Sequence, residues 1–132
     1  MKKNLLFVVC MLALSCSVMA QLPAFPGAEG WGMNAKGGRG GVVLTVTNLN
    51  DSGPGSLREA IMNPNPRIII FDVSGTIDLK TGLDIESPYV TIAGQTAPGE
   101  GICLKNFPLR IQNTHDVIVR GIRVRPGTKS GL

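Results

Sequence analysis

A chain of 132 residues with a net charge of +4, three Cys and 5% aromatic residues excludes several classes of protein at the outset. Nucleic-acid binding would need a clustered basic face interleaved with stacking rings, and one Trp, one Tyr and four Phe do not supply it. A disulfide scaffold is excluded as well, because Cys103 is the only cysteine beyond the first twenty residues.

Those twenty residues read as a separate unit. Lys2 and Lys3 open it, residues 5–14 form an uncharged apolar run, and Val18 and Ala20 flank Met19 as the small residues of a cleavage site after Ala20. This is the layout of a secretory signal peptide, and the run is shorter than the ~20 apolar residues that span a membrane. Export (secreted or periplasmic) without a membrane span is predicted. Ser15-Cys16 offers a minority alternative, a surface lipoprotein attached through Cys16. Against it, Ala13 stands where a lipoprotein signal wants a branched aliphatic residue. Removing Lys2 and Lys3 lowers the basic excess to +2, so the overall basicity identifies no partner.

Residues 21–41 are punctuated by Pro23, Pro26 and seven glycines and read as an irregular loop. The cluster Gly37-Gly38-Arg39-Gly40-Gly41 superficially suggests a phosphate loop. It lacks the Gly-Lys-Ser/Thr ending, and a β-branched strand over 42–47 follows it rather than a helix. A turn is the reading adopted. After the turn Asp51-Ser52-Gly53-Pro54-Gly55, the stretch Ser56-Leu57-Arg58-Glu59 fits a capping box. In it the Ser56 hydroxyl accepts from the Glu59 amide and the Glu59 carboxylate reaches back to the Ser56 amide. The helix predicted over 57–62 is stopped by Pro64 and Pro66, and Leu57, Ala60 and Ile61 share its apolar face.

The rest reads as short strands, over 67–73, 77–80, 83–86, 90–92, 102–105, 109–112 and 117–119. Most alternate apolar and polar residues and so bury one face. Three of them recur as a set. Ile77 and Leu79 match Ile102 and Leu104 at a spacing of 25, Leu83, Asp84 and Ile85 match Leu109, Arg110 and Ile111 at 26, and Val90, Ile92 and Gly94 match Val117, Val119 and Gly121 at 27. A period in the twenties, with connections too short for crossover helices, predicts a parallel β-solenoid rather than a β-sandwich. Asp84 and Arg110 then become stacked neighbours of opposite charge. The helix covers the solenoid's first end, where an apolar core and unpaired strand edges would otherwise be bare. Residues 120–127 begin another strand with no closing helix after it, so the chain is expected to be a fragment or truncated product. The predicted division is a signal peptide over 1–20, an N-terminal loop, first strand and capping helix over 21–66, and incomplete coils over 67–132.

Several of these stretches, in this order, resemble the opening of secreted bacterial pectate-lyase-like proteins of polysaccharide lyase family 1. They are Ala24-Phe25-Pro26-Gly27-Ala28-Glu29-Gly30-Trp31-Gly32, the glycine cluster at 37–41, Asp51-Ser52-Gly53-Pro54-Gly55-Ser56-Leu57-Arg58-Glu59-Ala60, Ile70-Phe71-Asp72-Val73-Ser74-Gly75-Thr76-Ile77, Thr91-Ile92-Ala93-Gly94-Gln95-Thr96-Ala97-Pro98-Gly99 and Val117-Ile118-Val119-Arg120-Gly121-Ile122-Arg123-Val124-Arg125. The resemblance implies an all-β fold, the right-handed parallel β-helix. It also implies a calcium-assisted lyase of acidic, pectate-like polysaccharide, in which the metal and a basic residue promote β-elimination. The family's calcium carboxylates and its catalytic Arg come from coils after the strand matching residues 122–125. No catalytic or metal residue is therefore carried over, and the chain by itself is expected to be inactive.

What remains are candidates for binding. Arg123 and Arg125 alternate with Ile122 and Val124 and so share an outward face, with Lys129 nearby. Forked guanidinium groups suit the carboxylates of an acidic glycan; the competing and commoner reading of a charged strand face is solvation beside acidic neighbours from a further coil. His115-Asp116 reads as a turn, since no nucleophile accompanies it. Asp72, Asp78, Asp84, Glu86 and Glu100 are too scattered for a calcium loop. The alternation points Cys103 outward. A non-catalytic β-helix that binds glycan or mediates adhesion is the competing reading, and a β-helix glycoside hydrolase a weaker one.

Overall fold

The computed structural model describes residues 21–127. The expected signal segment, its cleavage point after Ala20, Cys16 and Lys129 lie outside them. Among the described residues nine short strands, one α-helix and a 3₁₀ turn (Gly94–Thr96, after β5) follow the loop: β1 (Val42–Val46), α1 (Leu57–Met62), β2 (Arg67–Phe71), β3 (Gly75–Asp78), β4 (Leu83–Ile85), β5 (Val90–Ala93), β6 (Ile102–Lys105), β7 (Leu109–Ile111), β8 (Val117–Arg120) and β9 (Ile122–Arg125). They form three sheets, ordered β1-β2-β5-β8, β3-β6-β9 and β4-β7. Every recorded pairing is parallel. The chain passes through the first, second and third sheets in turn and returns to the first one rung on, an arrangement consistent with a parallel β-helix.

Alternation decides which side chains meet inside. Ile69, Ile92, Ile77, Leu104, Leu83, Ile85 and Ile102 are all buried and form one core with Val46, Phe71 and Val90. Burying each such side chain contributes roughly 1.5–3 kcal/mol. The helix has the predicted limits and buries Leu57, Ala60 and Ile61 against that core.

Three details depart from expectation. First, β3 pairs with β6 at a spacing of 27, Gly75 against Ile102 and Ile77 against Leu104, not at 25. A slip of two residues leaves every side chain on the same face, so alternation alone could not choose between the registers. The third sheet keeps its spacing of 26 and β5–β8 its spacing of 27. Second, β1 is itself a rung, paired with β2 along its whole length, so the first turn of the stack precedes the helix. Third, the Glu59 carboxylate accepts from the Gly55 amide at 2.7 Å, not from Ser56, whose amide already donates to the Gly53 carbonyl. The other half of the capping box forms as expected, with the Ser56 hydroxyl accepting from the Glu59 amide at 3.3 Å.

One buried residue carries more than its position in a strand suggested. Arg67 occupies the inward column with Val90 and is wholly buried. Its guanidinium donates to the carbonyls of Ala60, Ile61, Asn65 and Pro88. The first two belong to the last turn of α1, where carbonyls lack partners within the helix and the dipole favours a cation. Burial pulls its pKa down from the usual arginine value.

Candidate functional site

The outer face of the first sheet is covered by residues of the 21–41 loop. The Gly38 amide donates to Thr91 Oγ1 at 2.9 Å on β5, and the Lys36 amide donates to Asp116 Oδ1 at 2.7 Å just before β8. Arg120 on β8 lies 4.3 Å from the Phe25 ring centroid. The glycine cluster is what permits this approach. A Cβ on Gly38 would fall on the Arg67 carbonyl, and one on Gly41 on the Pro66 carbonyl. Arg39, in the middle of the cluster, donates to the carbonyls of Leu22, Pro23, Ala35 and Lys36 and so ties the loop to itself.

His115 and Asp116 occupy the turn read from the sequence. Asp116 has φ 54°, and its second carboxylate oxygen lies 2.9 Å from His115 Nδ1. The Lys36 amide, followed by His115, holds the Asp116 carboxyl below the usual range. Its lone pairs thus fix a loop and a neighbouring ring.

The second sheet presents a different outer face. By register, Thr76, Cys103 and Arg123 form one outward column, and Asp78, Lys105 and Arg125 the next. Arg123, Arg125 and Lys105 are exposed and Cys103 is half-buried. The two predicted arginines are therefore on one face, and the structure adds Lys105 to them. Its signal was the same alternation that singled out the arginines. Arg123 Nη2 donates to the Glu100 carbonyl at 2.8 Å, which fixes its direction without neutralising it. Beneath the two bases of the second column, Asp78 accepts from the Asn106 side-chain amide and lies 3.9 Å from Lys80 Nζ. The resulting strip is basic toward β9 and acidic only at its foot. It can hold carboxylates by hydrogen-bonded charge pairing.

Two other carboxylates, Asp84 and Asp51, are engaged by arginines. Asp84 and Arg110 are stacked partners, as expected, joined by two bonds of 2.6 and 2.9 Å. That partnership lowers the Asp84 pKa. Asp51 binds Arg58 at 2.7 Å and accepts from the Lys80 amide at 3.1 Å. Burial raises the Asp51 pKa, but these bonds outweigh it and the net shift is downward. Among the described residues no three His, Cys, Asp or Glu side chains gather as a metal site. They do not fit a calcium ion, which takes six to eight oxygen ligands.

No protein-family model matches the chain. Among curated proteins, one named "Probable pectate lyase C" from Aspergillus oryzae is 55% identical over 106 residues, which is 80% of this chain and 25% of that protein. One of the same name from Aspergillus fumigatus is 50% identical over 127 residues, 96% of this chain and 30% of that protein. The chain is pectate-lyase-like. A plant protein named "Probable pectate lyase 4", from Arabidopsis thaliana, extends the likeness at 40% identity over 102 residues, 27% of its length. This pectate-lyase-like chain thus spans less than a third of the length of the curated relatives it matches. Among the described residues no helix is long and apolar enough to cross a membrane.

Proposed function

We propose that the chain supplies opening coils of a right-handed parallel β-helix to an exported polysaccharide lyase, one that cleaves an acidic, pectate-like glycan by calcium-assisted β-elimination. The observation that carries this reading is the likeness to pectate lyases over most of the chain. In the reading, Arg123 and Arg125, with Lys105 beside them, bind glycan carboxylates. Their shared exposed face supports that role, as does the scarcity of acidic side chains on it. The residues described do not fit calcium, so no step of the elimination is assigned to them. The chemistry is proposed for a protein of the relatives' full length. The test is incubation of such a protein with polygalacturonate and Ca²⁺, which should raise ultraviolet absorbance as unsaturated ends form. A flat trace on several acidic glycans would overturn the reading.

The competing reading is a non-catalytic β-helix that retains glycan or mediates adhesion. It rests on one observation, the exposed basic strip of Lys105, Arg123 and Arg125, which would serve retention without cleavage as well. It predicts retention on immobilised polygalacturonate with no cleavage.

A further inference from the structure

The loop over the first sheet carries a side chain that packing does not explain. Trp31, the only tryptophan of the chain, is fully exposed, and Met33 beside it is exposed as well. Its backbone is nonetheless held. The Met33 amide donates to the Gly30 carbonyl at 3.1 Å, the Ala35 amide to Gly32 at 3.0 Å, and the Ala24 amide to Met33 at 2.7 Å. An indole left in water on a hydrogen-bonded turn is a flat apolar platform that needs little ordering before it binds.

Two depressions adjoin there. One, of about 420 Å³, is lined by Gly30, Trp31, Met33 and Asn34. The other, of about 490 Å³, shares Asn34 and continues to Lys36, Arg39, Tyr89 and Asp116. Along that line the chemistry passes from an aromatic face to an amide and then to cations. Lys36 Nζ lies 5.4 Å from the Tyr89 ring centroid and forms no ion pair with a carboxylate among the described residues. Asp116, the anion of the second depression, already accepts from the Lys36 amide and lies against His115. A pyranose ring offers C–H groups to an indole face and hydroxyls to an amide. An acidic sugar also brings a carboxylate to the ammonium, which otherwise has only the longer-range attraction of Asp116.

We propose that Trp31, Asn34 and Lys36 form a second glycan site, separate from the strip on β6 and β9, which takes an acidic oligosaccharide with one ring stacked on the indole. The choice of ligand rests on the polysaccharide reading above. The site itself rests on the exposed indole and the cation beyond it.

The chain contains its own reporter, since its tryptophan fluorescence comes from this site alone. The purified protein carrying Arg123→Ala and Arg125→Ala should show a saturable change in emission with hexagalacturonate and little change with neutral cellohexaose. Lys36→Gln should weaken the acidic ligand about threefold and remove most of its salt dependence. Trp31→Ala, read by calorimetry, should weaken it about tenfold. The inference is overturned if hexagalacturonate leaves the emission unchanged. An emission that acrylamide cannot quench would also overturn it, because the indole would then be covered. So would an equal response to cellohexaose, or a response to anionic lipid vesicles and not to glycan. Cleavage of polygalacturonate by a protein of the relatives' full length while Trp31 of this chain stays silent refutes this site alone, whereas saturable binding at Trp31 upholds the site even if that longer protein leaves polygalacturonate uncleaved, a result that refutes the lyase alone.

Discussion

The first and second sheets are built by the same circuits of chain, yet their outer faces differ. On the first, Thr91 and Ile118 lie under backbone at Gly37 and Gly38, and a side chain added at either glycine would strike them or the strand beneath. On the second, Lys105, Arg123 and Arg125 stand in solvent. A covered strand face selects small and apolar partners, because any extra atom must displace something. A bare face tolerates long charged side chains, because water solvates them at little cost. Fold integrity is therefore concentrated on the first sheet, and the capacity to meet a charged ligand on the second.

The strongest way to break that contrast is Arg67→Met, which strands carbonyls of α1 and of the Pro88 turn beneath the covered face. A loss of about 3 kcal/mol or more is expected in urea unfolding. A loss under about 1 kcal/mol would mean that water reaches these carbonyls and that the arginine is dispensable. Next comes Gly38→Ala, where the new methyl meets the Arg67 carbonyl and either the loop or β2 must shift. Overpacking of this kind costs about 1–3 kcal/mol, and the same unfolding experiment reads it.

On the bare face the expectation reverses. Replacing Arg123 and Arg125 together by Ala should leave the melting temperature unchanged while shortening retention on immobilised polygalacturonate, most visibly at low salt. A drop in melting temperature with retention unaffected would show that the strip is structural.

The smallest effect sharpens the contrast through acid. Asp84 and Asp116 both have folded pKa values below the ordinary 3.8, held down by Arg110 and by the Lys36 amide respectively. The folded form binds these protons less readily than the unfolded one. Their stabilisation is therefore complete above the ordinary carboxylate value and fades as pH falls through and below about 3.8. Asp84→Asn and Asp116→Asn should each flatten the melting curve against pH in that range. Asp116→Ala, which removes the acceptor of the Lys36 amide, should also loosen the loop, detected as altered Trp31 emission, whereas Asp84→Asn should not. Identical emission in Asp116→Ala and Asp84→Asn would argue that the Lys36–Asp116 bond does not hold the cover in place.

Much of the arrangement was legible before any coordinates. The helix limits follow from Ser56 at one end and Pro64 at the other, and the pairing of Asp84 with Arg110 follows from the repeat. The basic strip could be read only in part. Arg123 and Arg125 belong to one strand, but Lys105 joins them through a register that alternation left open. The Trp31 platform was not legible. A tryptophan in a glycine-rich turn reads equally well as a buried anchor, and exposure depends on what the rest of the chain places around it.

By itself the sequence determined that short alternating strands follow the helix and where the helix begins and ends, because those properties follow from periods of two and 3.6 and from local capping chemistry, although β3 runs from Gly75 to Asp78 rather than over 77–80 and Ile111 stays exposed. Only the tertiary structure decided the 27-residue offset of β3 and β6, the burial of Arg67, the reach of Glu59 to Gly55 and the laying of the loop across the first sheet. Each of those depends on contacts between distant segments, and patterning fixes the face a residue presents but not the partner that meets it.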